Sequence, residues 1–503
     1  MLGSRVYRSK RVDGNLLTTD VLVVGGGNAA LCAAISACQL GVRVLVVEKA
    51  PEEHRGGNSS LTLNMRFSYD RTEELIQLIR NPTKAEIELI SDGRPCYTKE
   101  EYYDDLMLVT NGKSDPAMAS ILASESGETI RWLHTLGHTW VVNHTPLAGS
   151  LPLNIDGDGF GLQQRAFSIA ETLGASFLYN ARALDMIQDA KRNVRGVRVA
   201  TPNGVVNCVA KAVVLACGGF EASSAMRARY LGDKWAKVKP RGVPFNTGDG
   251  LDMALTLGAT PYGSWSSCHA APQDVTLPDF MLPKDHKQCF QQWRYSFPFG
   301  ITVNNRGERF FDEGESYGSL TYAKVGRAIL EQRQSIAFQI FDAKARQMKL
   351  IRPAYENATR SEASTLGELA VILGIDQNSL TSTIQEYNRA VSPSEFMPHT
   401  LDGKRTIGLA IPKSNWALPI DTPPFSAYPV VCGITFTFGG LKIDDSARVL
   451  HETGNPISGL YAAGEIVGGL FHLNYPGGSG MMSGAVFGRK AGNNAARFAR
   501  AMK

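Results

Sequence analysis

The chain has 503 residues, enough to bury a large core and to form roughly two to four domains. Charged residues make up 20% and the net charge is only +4, with both signs scattered, so neither a nucleic-acid nor a membrane-surface partner is indicated. The basic opening, residues 1–19, lacks the apolar core of a secretory signal and no apolar run could span a bilayer, so a cytoplasmic protein with no membrane span is expected.

The first predicted elements are the most informative. The apolar run Val21, Leu22, Val23, Val24 leads into Gly25, Gly26, Gly27, Asn28, Ala29 and Ala30, and a second apolar run, Val44 to Val47, ends in Glu48. This is a strand, a Gly-x-Gly-x-x-Ala turn, a helix of small residues and a strand ending in an acid: a nucleotide-binding βαβ unit. The glycines let backbone approach a pyrophosphate, whose charge meets the free N–H groups of the helix N-terminus. Glu48, 21 residues after Gly27, stands where a carboxylate would accept hydrogen bonds from an adenosine ribose.

Lys49 follows, and then a polar stretch containing Arg55, Gly56, Gly57, Asn58, Ser59 and Ser60, which suits a loop crossing a pyrophosphate or a flavin ring, or else a surface linker. Residues 116–136 carry apolar positions at helical spacing. Residues 175–219 read as a strand, a hairpin and a further strand, 212–216, that leaves the core through Ala216, Cys217, Gly218 and Gly219. Asn246, Thr247, Gly248, Asp249 and Gly250 open another helix, with Asp249 either a cap or a cofactor contact. Between residues 269 and 435 proline and aromatic residues become frequent, and 366–374 and 380–391 read as amphipathic helices of a covering domain.

The C-terminal stretch regains the first texture: Gly459 to Glu465, then Asn474, Tyr475, Pro476, Gly477, Gly478 and a small-residue helix over 479–495. A helix N-terminus after a glycine pair suits the charge of a reduced flavin. The two glycine-rich ends are therefore expected to build one domain interrupted by an insert. The eight cysteines include no Cys-x-x-Cys pair, so no zinc ribbon, attached haem, iron–sulfur cluster or other metal site is expected.

Taken in order, Gly25 to Ala30 with Glu48, the Gly56 to Ser60 loop, Ala216 to Gly219, Asn246 to Gly250, Val303 to Phe311 and Gly459 to Glu465 resemble the fumarate reductase and succinate dehydrogenase flavoprotein superfamily. The resemblance implies an α/β fold in which a Rossmann-like FAD-binding domain of the glutathione-reductase type, 17–268 and 435–503, is interrupted by an α+β capping domain, 269–434. It implies FAD, expected to be non-covalent because no histidine stands directly before Gly56 and His54 lies in a charged turn. The implied FAD contacts are Gly25, Gly27, Asn28, Ala29, Ala30, Glu48, Lys49, Gly56, Gly57, Asn58, Ser59, Ala216, Gly218, Gly219, Asn246, Gly248, Asp249, Gly464, Glu465, Ser479, Gly480 and Met481.

Within the superfamily, residues 312–315, 321–324, 338–342, 434–440 and 474–478 are similar to the tricarballylate dehydrogenase group. The fumarate reductase arginine acid is matched by Tyr317, the carboxylate-clamping arginine by Tyr475, a family histidine by Thr435, and the Glu and Arg of the proton relay by Trp293 and Ser296; only a substrate-binding histidine is retained, as His269. Tyrosines at 317 and 475 are similar to those of ketosteroid dehydrogenases. The resemblance thus implies dehydrogenation of a CH–CH bond beside a carboxylate or carbonyl, with Tyr317 the first choice of base and Tyr322 the second. Because a phenol titrates near 10, Lys324, Arg294 and Arg309 are the local cations that could activate it. Arg294 is also a candidate carboxylate clamp, or else part of a solvated cap surface. The partners expected are a small acid or ketone and a separate electron acceptor: a quinone, an iron–sulfur protein, another flavoprotein or oxygen. The reverse reduction and a non-catalytic flavin subunit are the alternatives.

Overall fold

A computed structural model describes residues 15–144 and 151–502. The opening βαβ unit forms as read, with strand Leu16–Val24, helix Asn28–Gln39 and strand Val44–Val47, and Val21 to Val24 pair in parallel with Val44 to Val47. All four residues of the second strand are buried, as a parallel strand covered on both faces requires. Gly25, at φ +112°, makes the turn, and a side chain there would strike the Ala216 carbonyl.

The main sheet has eight strands. Its path runs Arg448–Leu450, Pro456–Ala462, Gly204–Leu215, Leu16–Val24, Val44–Val47 and Ser176–Leu178, with Arg182–Gln188 and Val194–Thr201 added as an antiparallel hairpin. A strand from the C-terminal part thus pairs in parallel beside one from the first half, Leu460 with Val213, so the two ends of the chain build one lobe. The C-terminal helix continues past the expected end, Ser479–Ala501, because no glycine or proline follows Gly492 to stop it. It packs on Asn28–Gln39 through Gly484, Gly488 and Gly492, a seam at helical spacing; a Cβ at Gly488 would lie 2.5 Å from the Ala29 carbonyl oxygen.

The second sheet has six strands, centred on Pro261–Asp274, Phe425–Leu441, Ile336–Phe341 and Ile301–Asn304. Helices Gly318–Leu330, Leu366–Leu373 and Gln377–Ala390 cover it, and Thr365 and Glu368 close a reciprocal cap on the second of these. The expected boundaries at 268/269 and 434/435 fall inside Pro261–Asp274 and Phe425–Leu441, which pair antiparallel from Pro261 with Leu441 to Asp274 with Val430. The chain crosses between lobes along two continuous strands, with register shifts on either side of Cys268 and His269. Among the described residues, no helix is long and apolar enough to cross a membrane and no cluster of His, Cys, Asp and Glu could hold a metal ion.

Candidate active site

A long cavity runs along the carboxyl ends of the parallel strands. Its walls include Gly25, Gly27, Asn28, Ala29, Glu48, Lys49, Gly57, Asn58, Ser59, Ala216, Gly218, Asn246, Asp249, Gly464, Glu465, Gly480 and Met481, so segments more than four hundred residues apart converge on it. Two helix N-termini open into the cavity. Asn28–Gln39 and Ser479–Ala501 both begin after a glycine, with no acid in the first turn; Asn28 N–H donates to Ser59 Oγ and Ser479 N–H to the Pro476 carbonyl, each at 3.1 Å, and the helix dipoles with the N–H groups that follow suit an anion. Glu48 is held by the backbone N–H of Ala50 at 2.7 Å, with its carboxyl group against Gly26. Asn28 ties the two helices, donating to the Met481 carbonyl at 2.8 Å. These features fit a dinucleotide with a pyrophosphate: glycine-lined backbone, two N-termini and a ribose-facing carboxylate.

Five expected contacts stand one layer back from the cavity wall. Ala30 faces the core of its helix; Gly56 packs on Ser60 and Gln163; Gly219 is pressed against Thr437 and Glu465; Gly248 serves as the cap residue of helix Asp249–Thr256; and Ser479 Oγ accepts from Tyr102 at 2.9 Å. Asp249 is not a side-chain cap. It pairs with Lys49 and Arg182, each at 2.8 Å, which holds its carboxyl below the usual range despite burial.

The inner end of the cavity meets the cap. Tyr475, Phe436, Thr435 and Arg241 line it, and the Tyr475 hydroxyl is 2.6 Å from that of Tyr322 on helix Gly318–Leu330. His269 is completely buried between them, with ring centroids 5.0 Å from Tyr322, 5.0 Å from Tyr475 and 5.4 Å from Phe436, and neither ring nitrogen has a hydrogen-bond partner. Burial, with the nearby Arg241 charge, holds this imidazole neutral.

Arg241 was not singled out by the sequence. Its Nε donates to Thr435 Oγ1 at 3.0 Å and its Nη1 to the Tyr295 hydroxyl at 3.1 Å, over the ring of Trp293 at 4.9 Å. The ionisable groups acting most on it are Tyr295, Cys289, Tyr322 and Tyr475, with His269 also beside it, and among the described residues it makes no ion pair with a carboxylate. Arg352 is half-buried, but its Nε is buried without an acceptor, and the ionisable groups acting on it are Tyr355, Tyr295 and Tyr322. Only the fold could reveal these two arginines, because nothing distinguishes them in sequence from arginines that meet a carboxylate.

Several expected roles change. Tyr317 precedes helix Gly318–Leu330 with its ring packed on the cluster of Phe299, Leu350 and Trp416, outside the cavity wall. Arg294 is neither clamp nor solvated surface: it is buried, bonded twice to Asp274 and through Nη1 to the carbonyls of Gln291, Trp293 and Ala354, so its guanidinium is taken up by the protein. Arg309 is buried against Glu313, and Lys324 reaches Glu315 at 2.6 Å. The cation whose charge acts on both phenols is Arg241.

A glycine-walled dinucleotide cavity that ends at Tyr475 and Arg241, with Tyr322 and His269 packed behind them, defines a two-lobe flavin-dependent oxidoreductase. The chain belongs to the family described as FAD binding domain, which matches residues 93–481, within the fumarate reductase and succinate dehydrogenase flavoprotein superfamily; residues 20–142 also match the description FAD dependent oxidoreductase. The fumarate reductase (cytochrome) of Shewanella frigidimarina is 28% identical over 497 residues, covering 96% of this chain and 78% of that protein. The open conformation of a flavocytochrome c3 fumarate reductase superposes with a TM-score of 0.71 at 26% identity, over 96% of this chain and 78% of the other. 3-Ketosteroid delta1-dehydrogenase from Sterolibacterium denitrificans shares the fold, with a TM-score of 0.71 at 21% identity over 95% of this chain and 99% of the other. FAD is the cofactor, and the protein is an oxidoreductase acting on carbon–carbon bonds.

Proposed function

We propose that the protein dehydrogenates a small polycarboxylic acid at a CH–CH bond beside a carboxylate, as the tricarballylate dehydrogenase-like signatures imply. The observation that carries this reading is the hydroxyl pair of Tyr322 and Tyr475 at the cavity end, beside the buried Arg241 guanidinium, which bonds only Thr435 and Tyr295, and near Arg352, whose Nε is buried without an acceptor. An unpaired buried charge is costly, and an acid substrate supplies the missing anion where a neutral ketone does not. FAD, held without a covalent bond by the cavity residues, supplies a two-electron acceptor for the hydride.

In this reading Arg241 and Arg352 bind carboxylates, and His269 donates a hydrogen bond from its neutral ring. Tyr475 Oη takes the proton from the carbon beside the carboxylate. Tyr322 donates its O–H to Tyr475 and so stabilises the phenolate, and Arg241 adds a positive charge nearby. The organic product is an enoate, and the electrons taken up by bound FAD would go to a separate acceptor: a quinone, an iron–sulfur protein, another flavoprotein or oxygen.

One observation favours the reverse reaction. Burial pushes both phenols above their usual range, and a neutral phenol is ready to give its proton to an enoate. Anaerobic mixing with tricarboxylates, dicarboxylates, ketosteroids and cyclic ketones decides between them. Bleaching of the yellow flavin by saturated acids supports dehydrogenation; reoxidation of the reduced protein by enoates alone supports reduction; a response to ketones alone overturns the acid reading.

A further inference from the structure

Behind the cavity wall lies a carboxyl group that the chemistry above does not use. Glu221 is completely buried in the turn after Gly218 and Gly219. Its Oε1 accepts from Asn58 Nδ2 at 2.7 Å and from Asn246 Nδ2 at 2.5 Å, both cavity-lining residues. Asn58 also donates to the Thr435 carbonyl at 2.9 Å and accepts from the Val243 N–H at 2.8 Å, so this one amide links four segments of chain. Glu221 Oε2 has no donor in reach. The carboxyl group of Glu465 is its neighbour across Gly219, and Glu465 Oε1 accepts from the N–H of Thr437 at 2.8 Å and from its hydroxyl at 3.2 Å.

Two carboxyl groups are both acceptors, and they bond only if one carries a proton. We propose that Glu221 and Glu465 hold a single proton between them, and that Glu221 is a positioning residue for the cofactor, setting the Asn58 and Asn246 amides while keeping this wall at one negative charge. The other titratable or charged groups facing Glu221 are Arg227, which bonds the Glu221 backbone carbonyl, and the buried thiol of Cys268. Burial and the neighbouring Glu465 push the Glu221 carboxyl well above the carboxylate range, in keeping with a retained proton. The inference concerns the FAD cavity and stands whichever substrate the protein takes.

Glu221→Gln tests it, because a correctly turned amide accepts from the two asparagines through its oxygen and donates to Glu465 through its nitrogen. Infrared spectra of the FAD-loaded protein at neutral pH are expected to show the C=O stretch of a neutral carboxylic acid that Glu221→Gln removes. FAD affinity, measured by calorimetry, falls about tenfold or more in Glu221→Leu, as expected when buried donors lose their acceptor, and is rescued in Glu221→Gln. The midpoint potential of bound FAD drops at alkaline pH in the parent as the shared proton leaves, and Glu221→Gln lacks that inflection. No Glu221-dependent acid band, or FAD loss as severe in Glu221→Gln as in Glu221→Leu, overturns the proposal. Should Glu221→Leu fail to fold, the infrared band and the potential of Glu221→Gln decide alone.

Discussion

Tyr322 and Tyr475 meet across the two lobes, one on the cap helix Gly318–Leu330 and the other just before the C-terminal helix, with their hydroxyl oxygens 2.6 Å apart. Only one proton can lie between two such oxygens, so the pair is asymmetric. Burial raises both phenols; the proposed mechanism has Tyr322 donate, and that donation with the charge of Arg241 favours the ionised form of Tyr475. In the proposed mechanism Tyr475 is the member that exchanges a proton.

Removing that hydroxyl is expected to slow flavin reduction by a saturated acid about 100-fold or more in Tyr475→Phe, the usual scale of a lost acid–base group. Tyr322→Phe gives a smaller loss, and Tyr317→Phe, whose ring packs in the cap, changes the stopped-flow rate by less than about threefold. Equal losses in all three would remove the assignment to Tyr475.

The direction of the pH dependence follows from the raised phenol. The proton-accepting form of Tyr475 grows as pH rises, so bleaching by a saturated acid accelerates with pH and has no plateau below the usual phenol value near 10. Reoxidation by an enoate needs the protonated form and slows over the same interval. Opposite slopes in the two half-reactions are the expected result of single-turnover measurements.

Arg241→Gln and Arg352→Gln are expected to weaken carboxylate ligands roughly 30-fold or more each, because a charged partner is lost in a buried setting. A competitive inhibitor titration against flavin absorbance measures this. Binding of a neutral ketone moves little, so a parallel loss for acids and ketones would point to collapse of the pocket instead.

The helix seam has no room for side chains. Gly488→Val drives its methyl groups into the Ala29 carbonyl, and the loss is expected to be about 1–3 kcal/mol by overpacking. Because Ala29 also lines the cofactor cavity, thermal melts should show a smaller stabilisation by added FAD in this variant.

Two neutral histidines set an acid limit. His138 is buried with neither ring nitrogen bonded and its value pushed down to about 3, and His269 is also held well below the ordinary range. The unfolded chain takes up these protons near pH 6.5 and the folded chain does not, so stability is full above 6.5 and is lost as pH falls toward the folded values. Melting temperatures are expected to decline through this window, with a shallower slope in His138→Gln.

Much of this was legible from residues alone, for a physical reason. Backbone contact with a dinucleotide demands glycine at set places, so Gly25, Gly27, Gly57, Gly218 and Gly480 announced a cavity that the fold assembles from both ends of the chain. Side-chain chemistry was less readable. Arg294 lay in a promising aromatic stretch, yet its guanidinium is consumed by Asp274; Arg241 looked ordinary, yet it is the one left facing the phenols. The difference lies in partners supplied from distant segments, which no local pattern encodes. Tyr317 stands apart for a related cause: it precedes the cap helix and packs on Phe299, Leu350 and Trp416, while Tyr322, five residues on and within the helix, reaches the Tyr475 oxygen.

The ribbon formed by Pro261–Asp274 and Phe425–Leu441 makes the two halves mechanically one piece. A protease would have no tether to cut between them, and the upper half could not be exchanged with a relative's as a cassette without severing a ladder of backbone hydrogen bonds. Any recombination scheme for altering selectivity has to graft individual side chains onto this ribbon and its neighbouring helix, leaving the main chain intact.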